Sequence, residues 1–380
     1  MLNVEFTGAT VLGQGGLESR PLAIADGFIV DEVPGKAIDL AGYMILPGII
    51  DVHGDGFERH LAPRRGAMKT LSEGLVAAEA ELAANGITTA VLAQFVSWEG
   101  GLRGIEFADQ VFRAIRKVSP ELVTDLRGQL RFETHMLDLY PTIPQRMADW
   151  GLSYIVFNDH LPHGRLAEGK LPKRMVGQAL KAGRSPEAHL KLMQDLHANG
   201  PDVSSALDTL CATLAAQGIQ MGSHDDTTPQ GRAAWRKRGV FVAEFPETLP
   251  AAEAAAEAGD QVVLGSPNVV RGGSHNGNVS AIDLIMMGVG GALASDYHYP
   301  SPRRAAFMLA DSGVISLSQA WHLVSSGPAS VLGLTDRGSL EIGKRADVLV
   351  LNAATRRVAM TMAGGRVSYM SGEIAARLVA

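Results

Sequence analysis

Between residues 45 and 298 one pattern recurs eight times: an apolar run of strand length, then a longer stretch of helical composition. The runs are ILPGIIDVH, GITTAVLAQFV, LRFETHM, YIVFNDH, IQMGSHDD, VFVAEF, QVVLGSPN and GALASDYH. Between them lie segments such as LSEGLVAAEAELAANG and SPEAHLKLMQDLHANG, several closing on the glycine that suits a helix C-terminus. Strands that are apolar on both faces and alternate with helices pair in parallel through crossover connections. Eight is the number that closes a (β/α)8 barrel, and residues 48–334 are long enough to form one. The two ends differ from the middle. NVEFTGATVL, PLAIADGFIVDEV and GSLEIGKRADVLVLNAATRRVAMTMAGGRVSY are rich in Val and Gly and lack helical period. The expected fold is therefore α/β: a distorted (β/α)8 barrel over 48–334, with a small β-sandwich built from residues 1–47 and 335–380.

Composition narrows the function classes. A hydrophobic fraction of 46% with 19% charged residues describes a soluble globular chain. A net charge of -6 gives no general attraction to nucleic acid or to an anionic membrane. No segment approaches the roughly 20 apolar residues of a membrane helix, and MLNVEFTGATVLG does not read as a secretory signal, so the expected location is the cytoplasm. The single cysteine, Cys211, rules out an intrachain disulfide and a Cys-based zinc site. Its Ala-rich surroundings predict a small buried apolar residue.

Barrels of this class carry their active sites at the C-terminal ends of the strands. Polar residues gather there. The first run closes on His53, Gly54 and Asp55, and the third on Glu133, Thr134 and His135. The fourth closes on Asn158, Asp159 and His160, the fifth on His224, Asp225 and Asp226, and the eighth on Asp296, Tyr297 and His298. Such residues also collect wherever a chain leaves its core, but five strand ends together exceed what turns require. Residues two apart on a strand share a side, so His53 with Asp55, Glu133 with His135, and Asn158 with His160 can face one centre. Imidazole and carboxylate donors suit zinc, iron or manganese. A set of this size supports one ion, or two about 3.5–4 Å apart. Asp296 is placed to take a proton from a metal-activated water.

Cations follow the same strand ends. Arg59, His60, Arg64 and Arg65 come after the first, and Lys170, Lys173 and Arg174 after the fourth. Arg271, Ser274 and His275 come after the seventh, and Arg303 and Arg304 after the eighth. Arginine forks match phosphate oxygens, and RGGSHNGN offers backbone N–H groups without obstructing side chains. No GKS or GKT follows, so this is not a Walker loop.

With a β-sandwich from both termini, a PG-I-x-D-x-H strand and a last-strand Asp, the chain resembles the amidohydrolase superfamily, and GSLEIGKRADVLVLN is similar to that family's return segment. HGDGFERHLAPRRG, RFETH, NDHLPHGR, SHDDTT, EFPET, GSPNVVRGGSHNGNVSA and SDYHYPS resemble its ribose 1-methylphosphonate 5-triphosphate diphosphatase branch, which serves the carbon–phosphorus lyase route of phosphonate use. The resemblance implies release of pyrophosphate by metal-activated hydroxide attack on phosphorus. It implies one or two divalent ions per chain, zinc first, on His53, Asp55, Glu133, His160, His224 and Asp296. Glu133 and Asp296 would be catalytic, and Glu133 would bridge, since no lysine lies in the third or fourth strand. His135 and Asp226 would be ligands or their supports. Arg59, His60, Arg64, Arg65, Lys173, Arg271, Ser274, His275 and Arg303 would hold phosphates. The implied partners are a phosphorylated sugar and a second copy of the chain in a homodimer, with neither nucleic acid nor membrane. The competing reading is an amidohydrolase of non-peptide carbon–nitrogen bonds, a deacetylase or deaminase, which needs fewer cations.

Three further segments are ambiguous. EFPET reads either as a turn or as a support for a ligand. Trp235 with Arg236, Lys237 and Arg238 reads as a helix with a solvent-facing charge run. Residues 161–190 read as a long loop of the kind that forms a lid.

Overall fold

The computed structural model describes residues 2–34, 36–62, 67–273 and 277–379. Seven short strands come first: β1 (Val4–Thr7), β2 (Thr10–Gly13), β3 (Gly16–Ser19), β4 (Leu22–Ala25), β5 (Phe28–Val30), β6 (Lys36–Asp39) and β7 (Tyr43–Pro47). All eight apolar runs then appear as strands. They are β8 (Ile49–Gly54), β9 (Ile87–Val96), β10 (Asp125–Glu133), β11 (Tyr154–Asn158), β12 (Gln220–His224), β13 (Val242–Glu244), β14 (Gln261–Gly265) and β15 (Ala292–Ala294). Three more strands close the chain: β16 (Val348–Asn352), β17 (Val358–Ala363) and β18 (Arg366–Met370).

β8 to β15 form one eight-stranded sheet in sequential order. Neighbouring strands pair in parallel, with Glu133 opposite Asn158 and His224 opposite Glu244. The last strand returns to the first: Gly54 bridges Asp296, the Asp55 amide donates to the Asp296 carbonyl at 2.9 Å, and the Asp296 amide donates to the His53 carbonyl at 3.0 Å. This is the (β/α)8 barrel expected from the alternation. Helices between the strands bury apolar residues at helical spacing. Leu71–Ala84 buries Leu75, Ala78 and Leu82, three and four residues apart. The terminal strands make two further sheets, ordered β5-β4-β1-β6 and β18-β17-β16-β7-β2-β3. Their inner faces share one core that includes Phe6, Ile24, Ile45, Val348, Val350 and Met360. Val348 and Val350 point into this core, while Leu349, one residue out of phase, lies where a Cβ on Gly86 would sit, at 2.7 Å. Gly86, at φ +87°, is thus required both by its backbone and by that close approach.

By contact density the chain forms two compact units, residues 1–92, 117–127 and 261–380, and residues 93–116 and 128–260. Among the described residues no helix is long and apolar enough to cross a membrane. Cys211 is free and buried, and burial pushes its thiol up to about 12.

Residues 161–190 are not an open loop. They hold helices His163–Ala167 and Met175–Lys181 and the start of Pro186–Ala198. Ser185 caps the last of these by accepting from the Ala188 amide at 3.2 Å, and Pro186 occupies the first turn. Nor is the basic run after Trp235 simply solvated. Arg236 pairs with the buried Asp260, Arg238 with Asp208 at 2.7 Å, and the Trp235 ring stacks on Phe157 with centroids 5.4 Å apart.

Candidate active site

In the first unit the site is built on DVHGD. Asp51 and His53, two apart on β8, are both fully buried. The backbone bridges described above bring His53, Asp55 and Asp296 to one edge of β8 and β15. Asp51 supports this edge: it accepts from the Ser295 amide at 2.9 Å and from the Ser295 hydroxyl. Burial raises its pKa against the opposing pull of those hydrogen bonds and of His53. Asp296 takes a left-handed backbone, φ 55°, which bends the chain away immediately after the strand.

In the second unit four groups converge from three strand ends. His160 Nδ1 lies 2.6 Å from Glu133 Oε1, and the His160 amide donates to Glu133 Oε2 at 3.1 Å. His160 Nε2 is 3.4 Å from Asp225 Oδ2, and His224 Nδ1 is 2.8 Å from the same oxygen. Burial pulls the His160 pKa down, but Asp225 and Glu133 outweigh it and raise it to about 9. Burial pushes Asp225 up, and His224 and His160 together hold it well below the usual carboxylate range. Both nitrogens of His160 therefore meet groups that can only accept. A divalent cation would take the place of protons in such a set, and the nitrogen and oxygen donors fit zinc, iron or manganese. His224 and Glu244 also offer ligand atoms within 4.8 Å of each other.

Several sequence expectations land elsewhere. Asp226 is committed to Arg232, 3.0 Å away, and to the Ser223 hydroxyl at 2.6 Å. His135 stands beside Asp159 rather than in the Glu133–His160 group, with 3.3 Å between Nε2 and Oδ2. Among the phosphate candidates, Arg59 pairs with Glu81 and lies over the Tyr299 ring, and His60 Nε2 is 2.7 Å from Glu81 Oε2. Lys173 is exposed. Arg271 donates to the Tyr297 hydroxyl. Arg303 Nη1 donates at 2.7 Å to the Arg356 carbonyl. Arg64, Arg65, Ser274 and His275 lie outside the described residues.

Sequence reasoning assigned no role to Asp225 or Arg131 and left Glu244 open between a turn and a support. Asp225, not Asp226, is the carboxylate shared by two histidines. Glu244 is fully buried, accepting from Gln129 at 2.9 Å and Tyr154 at 2.6 Å, so EFPET is not a solvated turn at its first residue. The signal was present, since Glu244 ends an apolar run as His224 does. Arg131, two before Glu133 on β10, donates to Asn158 Oδ1 at 3.1 Å and sits over the Phe95 ring. The other polar atom of that amide, Asn158 Nδ2, is buried without a partner among the described residues.

Residues 195–374 match the amidohydrolase family profile. The chain is 31% identical over 324 residues to alpha-D-ribose 1-methylphosphonate 5-triphosphate diphosphatase of Escherichia coli (strain K12), spanning 83% of this chain and 85% of that protein. Its fold is shared with N-acetylglucosamine-6-phosphate deacetylase from Pasteurella multocida, at 12% identity and TM-score 0.65, over 96% of this chain and 99% of the other. It is shared also with a D-aminoacylase, at 14% identity and TM-score 0.63, over 97% of each chain. Barrel, terminal sheets, strand-end donors and this kinship agree: the chain belongs to the amidohydrolase superfamily and is a hydrolase.

Proposed function

We propose that this hydrolase releases pyrophosphate from α-D-ribose 1-methylphosphonate 5-triphosphate and leaves the 5-phosphate. The observation that carries the reading is the relationship to the Escherichia coli diphosphatase over most of both chains. The geometry of the second unit supports it: Glu133, His160, Asp225 and His224 form a donor set suited to a divalent ion. In this reading His53, Asp55, Glu133, His160, His224 and Asp296 would supply the ligands for one or two divalent ions, with zinc the first choice. Asp225 and Glu244 join the two histidine strand ends as supports or further donors. When bound, the metal supplies Lewis acidity and makes a nearby water more acidic.

The chain's own residues do the rest. Asp296 accepts the proton of the attacking water. Asp51, through Ser295, keeps the strand end before Asp296 in place. Asn158 Nδ2, buried and without a partner among the described residues, donates to a phosphoryl oxygen, with the Arg131 charge beside it. Arg59, His60 and Arg271, each already turned toward an acceptor, exchange it for the triphosphate chain.

Phosphorus NMR of the purified, metal-loaded protein with the ribose triphosphate tests the reading. Pyrophosphate should appear together with the 5-phosphate. Turnover of N-acyl sugars or amino acids with no pyrophosphate would overturn it in favour of carbon–nitrogen chemistry.

A further inference from the structure

A second group of ligating side chains stands apart from the donors of the proposed reaction. His135 follows β10, Asp159 follows β11, His163 opens the helix His163–Ala167, and His197 lies in the last turn of Pro186–Ala198. We propose that His135, Asp159 and His163 form a further divalent-cation site, of the zinc class, that fastens the helical excursion after β11 to the end of β10. This inference does not depend on the substrate proposed above.

The geometry is that of a site with three protein ligands. One ligand atom from each of the three lies within 4.8 Å of the other two. His163 Nε2 is 3.1 and 3.0 Å from the two carboxylate oxygens of Asp159, and His135 Nε2 is 3.3 Å from Oδ2. Both rings turn Nε2 to this point because their other nitrogens are held. His135 Nδ1 lies 3.3 Å from the Leu196 carbonyl, which can only accept, so the proton of the neutral ring sits on Nδ1. That leaves the lone pair of Nε2 aimed at a carboxylate, a repulsive arrangement unless a proton or a metal ion stands between them. His163 Nδ1 is 2.7 Å from His197 Nδ1, so His197 orients His163. Remote ring nitrogens held by fixed partners are the usual support of metal-binding histidines.

Ligand chemistry selects the ion. Two imidazoles and one carboxylate favour zinc and its neighbours over magnesium or calcium, which prefer all-oxygen sets. The Asp159 and His163 side chains are 44% and 36% exposed, so water can complete the coordination shell. His135, only 6% exposed, anchors the site to the body of the second unit.

The test counts metal. The full-length protein is stripped with chelator, reloaded with zinc, desalted and analysed by plasma mass spectrometry, alongside His163→Gln, His163→Asp and His224→Asn. His163→Gln should bind one equivalent less than wild type, and His163→Asp, which restores an oxygen donor, should regain it. Stripping should also speed proteolytic cleavage within residues 161–199 in wild type and not in His163→Gln. His224→Asn reports separately on the catalytic ion. If that variant keeps its full metal content while His163→Gln loses one equivalent, the catalytic assignment fails and this one stands. Equal zinc content in wild type and His163→Gln overturns the site and leaves a hydrogen-bonded clamp with a protonated His135.

Discussion

Three non-glycine residues just beyond barrel strands hold left-handed backbones: Asp225 at φ 62°, Phe245 at φ 53° and Asp296 at φ 55°. Asp tolerates this region because its short side chain bonds locally, whereas Phe does so only where the surroundings enforce it. Phe245 precedes Pro246, and its ring edge meets His224 with centroids 4.9 Å apart. Strain of this kind concentrates at functional sites. It makes Asp296→Asn a clean probe, since Asn is at ease in the left-handed region and keeps the shape. The variant should fold with unchanged melting temperature and retain metal, yet lose turnover by at least about 100-fold, the usual worth of a positioned base. Wild-type turnover would remove Asp296 as proton acceptor. Next to Asp225, Asp226 serves stability. Arg232, 1% exposed, lies 3.0 Å from both Asp226 and Asp260, whose side chains are 4% and 0% exposed. Arg232→Ala would leave the buried Asp226 carboxylate without a cation and Asp260 with Arg236 alone, and should destabilise by about 3–5 kcal/mol in urea titration. A loss under about 1 kcal/mol would mean that water reaches the pair.

At the scale of elements, the helix Pro186–Ala198 carries His197 and presents the Leu196 carbonyl to His135. Its N-terminus rests on the Ser185 hydroxyl. Ser185→Ala should therefore cost about 1 kcal/mol locally, seen as about fivefold faster amide exchange across 186–198 with the barrel strands unchanged. Exchange that accelerates in β11 as well would show the helix and strand opening together. The helical composition of SPEAHLKLMQDLHANG was visible in the sequence, as were the eight strands and the period-two spacing of His53 and Asp55. These depend on residue type and spacing, which a sequence displays directly. Other features depend on backbone direction. Asp225 and Asp226 are chemically identical neighbours, and only the left-handed turn at Asp225 decides which one meets the histidines. Likewise, nothing in the spacing of Arg59, His60 and Glu81 shows that all three meet, because a helix of 14 residues carries Glu81 back to them.

At the scale of the whole chain, the first unit is assembled from three stretches, 1–92, 117–127 and 261–380, so its stability rests on contacts between residues far apart in sequence. Arg337 makes several at once. It is 8% exposed, and its Nη1 donates to Thr89 Oγ1 on β9 at 2.9 Å and to Asp125 Oδ2, at the start of β10, at 2.7 Å. Burial pushes Asp125 up, but Arg127 and Arg337 outweigh it and hold its carboxyl below the ordinary value. A carboxyl held low in the folded chain binds protons more weakly there than when unfolded. Its stabilisation is therefore complete above the unfolded-state pKa and fades as pH falls through the folded one. Arg337→Met keeps the volume and removes the charge. It should lower stability by about 2–3 kcal/mol at pH 7, the range for hydrogen bonds to charged groups. The gap from wild type should narrow as pH falls from 7, first as the buried Asp347, whose carboxyl burial raises to about 6 against the pull of Arg345 and Arg337, takes up its proton, and then as Asp125 does. Urea titrations of the two proteins across that range provide the check. A gap independent of pH down to acid unfolding would assign the role of Arg337 to packing of its aliphatic stem rather than to its charge.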